Sequence, residues 1–362
     1  MSRALAFSDD GRPLDYGRRL SRLRWRRAAN IERCETWNEA DEAGPRLAGA
    51  DEWMLVLDPD ALPAFRSLPQ APGGKALAAS WARPDEAVHT LRELEGARVA
   101  PLPPARDRPP AAIVFRASDA PSRAVSVEVL IERLLGEAAV DPAFLAVGFE
   151  VASERERPEL TRRLPDRPLR ILDAGCGAGS GIAAAKARCP GWTVTGIERD
   201  PDLAARARAR CDRVLEGDLR AILSELERAG ERFDAVVFAD VLEHLADPIA
   251  ALSAARRIAA PGGASLLVSV PNVGHLSVVR DLIAGRFDPV PAGLVDVHHL
   301  RWFTRESLAR AVEESGWRIR AIEAERGAPP PSPDALRNLA GAWPEADPES
   351  LEAYQWVATA DA

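Results

Sequence analysis

The sequence predicts an α/β fold in which a doubly wound, mainly parallel sheet follows a smaller N-terminal α/β region. Three observations lead there. From Ile171 onward, short apolar runs alternate with helical stretches, the pattern of a sheet covered by helices on both faces. The first run, Arg170–Ala174, turns on Gly175, Gly177 and Gly179 and feeds the alanine-rich stretch 182–186. That is a strand–tight loop–helix unit whose backbone N–H groups face one spot. Glycine belongs there because a side chain would hold the backbone away from whatever binds. Finally, the next strand ends carry Glu198, Asp218 and Asp240, where open parallel sheets place their ligands.

At 362 residues the chain can bury a large core and hold more than one domain. Its 46% hydrophobic and 28% charged residues are ordinary for a soluble globular protein. A net charge of −8 speaks against a general nucleic-acid binder. No apolar run reaches the roughly eighteen residues of a membrane span, and the first residues form no signal-peptide core. Cys34, Cys176, Cys189 and Cys211 are scattered, without a C-x-x-C pair. They point to a reducing, cytoplasmic setting and to neither a disulfide framework nor a zinc site.

Taken in order, residues 12–33 carry Arg12, Arg18, Arg19, Arg22, Arg24, Arg26, Arg27 and Arg33, with Leu20, Leu23 and Trp25 between them. The arginines surround the segment and do not line one face. It therefore reads as a solvated helix docking through Leu and Trp, with a basic arm for an anionic surface as the rival. Trp53 to Leu57 reads as a buried strand ending in Asp58-Pro59-Asp60. This resembles the D-x-D strand of family 2 glycosyltransferases, whose carboxylates hold the metal of a nucleotide-sugar. Ala112–Arg116 is a second point of likeness, but the N-terminal strand and loop of that fold are not read here. A plain strand with an Asp-Pro turn is the alternative. Prolines 102, 103, 104, 109 and 110 mark a linker, which places a domain boundary at residue 120: region 1–120 of unassigned function, then 121–362. Helices over Val125–Leu135 and about 149–164 read as leading elements on one side of the second sheet.

The C-terminal strands are read at 170–174, 193–198, 213–216, 233–239, 264–270, 317–323 and 354–360. Helices are read near 180–188, 201–211, 219–229, 248–258 and 304–315, and the Pro-rich piece 328–333 interrupts the final hairpin. The glycines do not follow the G-x-G-x-x-G spacing of dinucleotide folds, since Ser180 stands at the third position. Asp173-x-Gly175-x-Gly177-x-Gly179 instead resembles motif I of the class I S-adenosylmethionine (SAM)-dependent methyltransferases, and the resemblance covers residues 165–360. It implies a Rossmann-like seven-stranded sheet of order 3-2-1-4-5-7-6, with the last strand antiparallel, and SAM as cofactor.

The resemblance also assigns roles. Asp173 with Gly175, Gly177 and Gly179 would wrap the methionine part of SAM. Glu198, 23 positions after Gly175, would accept the ribose hydroxyls. Asp218 and the Leu219 backbone would meet the adenine, although Asp218 equally reads as a helix cap. Asp240 would face the ammonium. The phrase Val241-Leu242-Glu243-His244-Leu245 and the strand end Pro271-Asn272 resemble ubiquinone-biosynthesis O-methyltransferases and related small-molecule and lipid enzymes. His244, His299 and Glu243 are then the candidate catalytic residues, with His244 a neutral base for a hydroxyl proton. His275 and His298 fall in the same region. No metal ligand is assigned, yet Asp240-x-x-Glu243-His244 with a later histidine also resembles the divalent-metal pattern of those enzymes and of small-RNA 2′-O-methyltransferases, with Asp240 where they usually carry Glu. The register of the second histidine is open between His298 and His299.

The expected function is O-methylation of a small molecule, sugar or lipid precursor, with no nucleic-acid partner. Two rivals stand beside it: an inactive methyltransferase-fold assembly protein, and a bifunctional protein of cell-surface polysaccharide synthesis. Neither the acceptor nor the oligomeric state can be read from the sequence.

Overall fold

In a computed structural model of the chain, the residues described are 3–9, 22, 24–27, 29–31, 33–38, 50–57, 62–63, 76–84, 99–101, 110–119, 127–147, 156–187, 189–290, 293–326, 338, 341–343 and 345–362. They form two compact units, Met1–Phe149 and Glu150–Ala362. The boundary lies beyond the expected residue 120, because a helix and a strand past the proline linker join the first unit's sheet.

The first unit is built on strands β1 (Arg3–Asp9), β2 (Cys34–Asn38), β3 (Glu52–Val56), β4 (Leu62–Pro63), β5 (Leu77–Pro84), β6 (Val99–Pro101), β7 (Ala112–Arg116) and β8 (Ala139–Val147). The sheet runs β2-β1-β3-β7-β5-β8-β4, with β6 on β5. β1 is parallel to β2 and β3, and β7 is antiparallel to β3. Successive residues of β1 and β3 face opposite sides. Leu5, Phe7, Met54 and Val56 pack with Trp25, while Ala4, Ala6, Trp53 and Leu55 pack with Trp37. Helix α1 (Val127–Glu137) puts Leu130 and Leu134 into the second cluster. It covers this sheet and not the methyltransferase-like one for which it was expected. Trp25 of the arginine-rich segment is wholly buried, while Arg12, Arg18, Arg19, Leu20 and Leu23 lie outside the described residues. A strand, β1, precedes Trp53 in the chain. Asp58, Asp60 and the leading stretch 148–155 lie outside the described residues.

The second unit contains β9 (Leu169–Ala174), β10 (Trp192–Glu198), β11 (Arg213–Glu216), β12 (Ala235–Ala239), β13 (Ser265–Pro271), β14 (Arg318–Arg326) and β15 (Ala353–Asp361). Their order is β11-β10-β9-β12-β13-β15-β14. The first five are parallel, and β15 is antiparallel to both neighbours. This is the 3-2-1-4-5-7-6 arrangement expected from the sequence. Alternate residues serve opposite faces: Leu172, Val236, Phe238, Leu266 and Val268 pack in one cluster, and Ile171, Ala235, Val237 and Leu267 in another. Each fully buried large side chain contributes roughly 1.5–3 kcal/mol, so both faces must be covered. Helices α2 (Pro158–Thr161), α3 (Pro201–Ala207), α4 (Leu219–Arg228), α5 (Pro248–Arg257), α6 (Leu276–Ile283), α7 (Arg305–Glu314) and α8 (Pro348–Glu352) complete the unit.

Helix starts follow the sequence closely. Asp200, Asp218, Asp247 and Asp347 accept backbone N–H bonds at the heads of α3, α4, α5 and α8, and Thr304 with Ser307 forms a capping box on α7. The expected helix at 180–188 is different: the chain turns through 177–182 and then forms only a 3₁₀ segment, Ala183–Ala187. Residues 327–337, including the Pro-rich piece, lie outside the described residues. Among the described residues no helix is long and apolar enough to cross a membrane.

Candidate active site

The site lies at the carboxyl ends of β9, β10, β12 and β13, beside the switch point between β9 and β12. After Ala174 the chain takes left-handed backbone angles at Gly175, Gly177 and Gly179, with φ of +77°, +55° and +75°. The loop is packed tightly as well. A Cβ on Gly175 would lie 2.6 Å from Val241 Cγ2, and one on Gly179 would lie 3.2 Å from Ala207 Cα. Glu198, at the end of β10, ties into the loop: its Oε2 accepts from Gly177 N–H at 2.9 Å and its Oε1 from Asp200 N–H at 2.9 Å. Asp173 is 2% exposed. Burial pushes its carboxyl up to about 7, opposed by the nearby Arg157 guanidinium and the Ile182 N–H. Asp218 accepts from Ala221 N–H at 3.0 Å, so its capping role is realised.

β12 ends at Ala239, and Asp240 follows in the left-handed region with φ +55°. Asp and Asn adopt this conformation more readily than other side-chain-bearing residues. Both of its carboxylate oxygens are engaged by protein. Oδ1 accepts from Ser269 Oγ at 2.7 Å and Gln355 Nε2 at 2.9 Å; Oδ2 accepts from Arg157 Nη1 at 2.7 Å and Gln355 Nε2 at 3.0 Å. Burial opposes ionisation here, but the Arg157 ion pair and these hydrogen bonds hold the carboxyl below its ordinary range. Arg157 is itself 5% exposed and also donates to Glu159 and to Ser269 Oγ. Sequence reasoning missed Arg157, Ser269 and Gln355. The available signal was a polar residue inside an apolar strand: Ser269 between Val268 and Val270, and Gln355 beside Trp356 and Val357.

Beyond Val241, a 3₁₀ turn over Leu242–His244 carries the second group. The side chains of Glu243, His244 and His299 converge, with one ligand-type atom from each lying within 4.8 Å of the others. Glu243 is 1% exposed, and neither carboxyl oxygen has a hydrogen-bond partner among the described residues. Burial, reinforced by Asp240, pushes its pKa well above the ordinary value. Its backbone carbonyl accepts from Leu300 and Arg301 N–H, which fastens the His299 loop to this turn. Burial lowers the pKa of His244 and lowers that of His299 to about 4. His244 Nδ1 lies 3.3 Å from His298 O. The rings of His244 and His299 meet edge to face at 4.9 Å, and Trp302 supports His299 at 5.4 Å. The His298 ring is engaged elsewhere, with Nδ1 2.9 Å from Asp296 Oδ1, so the convergent histidine is His299. His275 is 4% exposed and caps α6 through Ser277 N–H.

This sheet order and glycine loop define a class, and comparison with known proteins names it. Residues 150–322 match the family described as "Methyltransferase domain". The chain is 34% identical over 171 residues to a ubiquinone biosynthesis O-methyltransferase of Dinoroseobacter shibae, covering 46% of this chain and 66% of that protein. It is 40% identical over 116 residues to the protein of the same name from Cereibacter sphaeroides, covering 32% of this chain and 46% of that protein. A SAM-dependent methyltransferase structure from Archaeoglobus fulgidus aligns at 18% identity with a TM-score of 0.42, over 56% of this chain and 91% of that one. The second unit belongs to the class I SAM-dependent methyltransferases, and SAM is the cofactor of that class. The chain thus spans about half to two thirds of the length of these curated relatives.

Proposed function

We propose that the protein methylates a hydroxyl oxygen on a small molecule, sugar or lipid precursor. One observation carries this reading: Gly175 packs against Val241, so the cofactor loop adjoins the turn that presents Glu243 and His244. A methyl donor held by the first and a hydroxyl held by the second would be neighbours. SAM, when bound, supplies an electrophilic methyl on a sulfonium; the protein's task is alignment and exclusion of water. The backbone of Gly175–Gly179 would receive the methionine part, Glu198 the ribose hydroxyls, and Asp218 with the Leu219 N–H the adenine edge. Asp173 and Asp240 would line the amino-acid end of that pocket.

The acceptor proton has a destination in His244. Its lowered pKa keeps the imidazole neutral at neutral pH. The carbonyl beside Nδ1 requires a proton on that nitrogen, leaving Nε2 with a free lone pair to act as base. A second handling of the proton is favoured by Glu243, a buried carboxyl with no partner of its own. Such a group beside two neutral imidazoles fits a divalent cation. The cation would be held by Glu243, His244 and His299, and would supply Lewis-acid lowering of the hydroxyl's pKa.

Isothermal titration with SAM and S-adenosylhomocysteine tests the cofactor reading, and no binding of either refutes it. Transfer of labelled methyl from SAM to a cell-extract compound, with and without EDTA, tests the acceptor chemistry. Activity that survives EDTA and is not raised by Mg²⁺, Mn²⁺ or Zn²⁺ leaves His244 as a metal-free base. The inactive-assembly reading expects neither binding nor transfer.

A further inference from the structure

The four residues Asp240, Glu243, His244 and His299 would make a ligand set of two carboxylates and two imidazoles, but only the last three converge. Asp240 has protein donors on both oxygens, drawn from three separate places: Arg157 ahead of α2, Ser269 on β13 and Gln355 on β15. Releasing Asp240 would strip the buried Arg157 of one of its two carboxylate partners, Glu159 being the other. A buried ion pair resists such separation because the abandoned charge finds no solvent. Asp240 is also one methylene shorter than Glu, and its backbone is committed to φ +55°.

We propose that Arg157 holds Asp240 out of the cation site, so that the site is a three-ligand set of one carboxylate and two imidazoles. This inference rests on the cation reading of the same cluster. With three protein ligands, two or three positions on the ion stay open to water and to the acceptor's oxygens. Two nitrogens among three ligands select Zn²⁺, Co²⁺ or Mn²⁺ over Mg²⁺, which takes oxygen ligands. Arg157 and Asp240 then pair with each other beside the site and contribute no ligand atom themselves.

The test is cobalt(II) titration of the full chain, followed by visible absorption and calorimetry, with S-adenosylhomocysteine binding measured on the same samples. Wild type should bind one cobalt that excess Mg²⁺ does not displace. Asp240→Asn keeps the left-handed backbone and should change the cobalt Kd by less than the ~10-fold that even an outer partner can cost. Glu243→Gln and His299→Ala should each weaken it by more than ~100-fold. Arg157→Leu releases Asp240; cobalt binding should tighten, and the gain should vanish in Arg157→Leu/Asp240→Asn. A loss of tenfold or more in Asp240→Asn overturns the proposal, as does a folded Arg157→Leu that binds no tighter than wild type. Should Arg157→Leu not fold, the Asp240→Asn comparison decides alone. Wild type that binds S-adenosylhomocysteine but no cobalt overturns the three-ligand site and leaves methyl transfer standing; cobalt binding without S-adenosylhomocysteine binding does the reverse.

Discussion

Replacing Gly175 by Ala strikes the junction between the cofactor loop and the acceptor turn. Two penalties follow from its geometry. At φ +77° an L side chain costs about 1–2 kcal/mol. The new methyl would also sit 2.6 Å from Val241 Cγ2, an overlap that forces a shift costing about 1–3 kcal/mol. Together the variant should lose about 2–5 kcal/mol, in the sum of these two ranges. The two parts can be separated. Val241→Ala removes the methyl that is struck but leaves the backbone angle unchanged, so Gly175→Ala/Val241→Ala should recover the steric part and not the conformational one. A double-mutant cycle should therefore give a favourable coupling of about 1–3 kcal/mol. Urea unfolding read by hydrogen exchange on β9 and β12 isolates the second unit, since a two-unit chain need not unfold in one step. S-adenosylhomocysteine titration reports on the loop. A coupling below about 0.5 kcal/mol would mean that the loop and the turn do not touch, and the argument for adjacent donor and acceptor would fall with it.

Other outcomes follow from the same geometry. Glu198→Ala removes the acceptor of Gly177 N–H and the proposed ribose partner; S-adenosylhomocysteine affinity should drop about 100-fold, roughly 3 kcal/mol by calorimetry, and an unchanged Kd would refute the assignment. Asp173 has a folded pKa raised from 3.8 to about 7, so its neutral form is favoured in the folded chain. That contribution is full below pH 4 and is lost as pH rises through 7. Wild type should accordingly lose stability relative to Asp173→Asn across that window, on the order of 4 kcal/mol, and parallel pH curves for the two proteins would contradict it. Asn272 is fully buried and donates to Ser350 O and Ala353 O while accepting from Gly274 N–H. Asn272→Ala should destabilise the second unit by about 2–4 kcal/mol, since it orphans the buried Ala353 carbonyl and two half-buried groups, Ser350 O and Gly274 N–H; a loss under 1 kcal/mol would show that water satisfies them.

How much of this was legible in the sequence depends on the range of the interactions involved. Alternating apolar runs, the Gly175–Gly179 spacing and the acidic strand ends are local patterns, and local hydrogen bonding makes them binding on structure. The Asp218 cap of α4 was readable for that reason, as were the strands of the 3-2-1-4-5-7-6 sheet. The short 3₁₀ segment after the glycine loop was not, since the alanines there favour a longer helix than the packed loop allows. Nor was the domain boundary. α1 reads the same whichever sheet it covers, and only its contacts with Trp37 and Leu55 assign it to the first unit. The site divides in the same way. Spacing gathered Glu243 and His244 because they are adjacent in the chain, while the choice of His299 over His298 depended on which ring the fold turned toward them. Asp240 carries the sequence signature of a ligand, but its partners lie 83, 29 and 115 positions away. No local pattern records contacts of that range, so only the tertiary structure could join Asp240 to Arg157 and leave Glu243 without a partner.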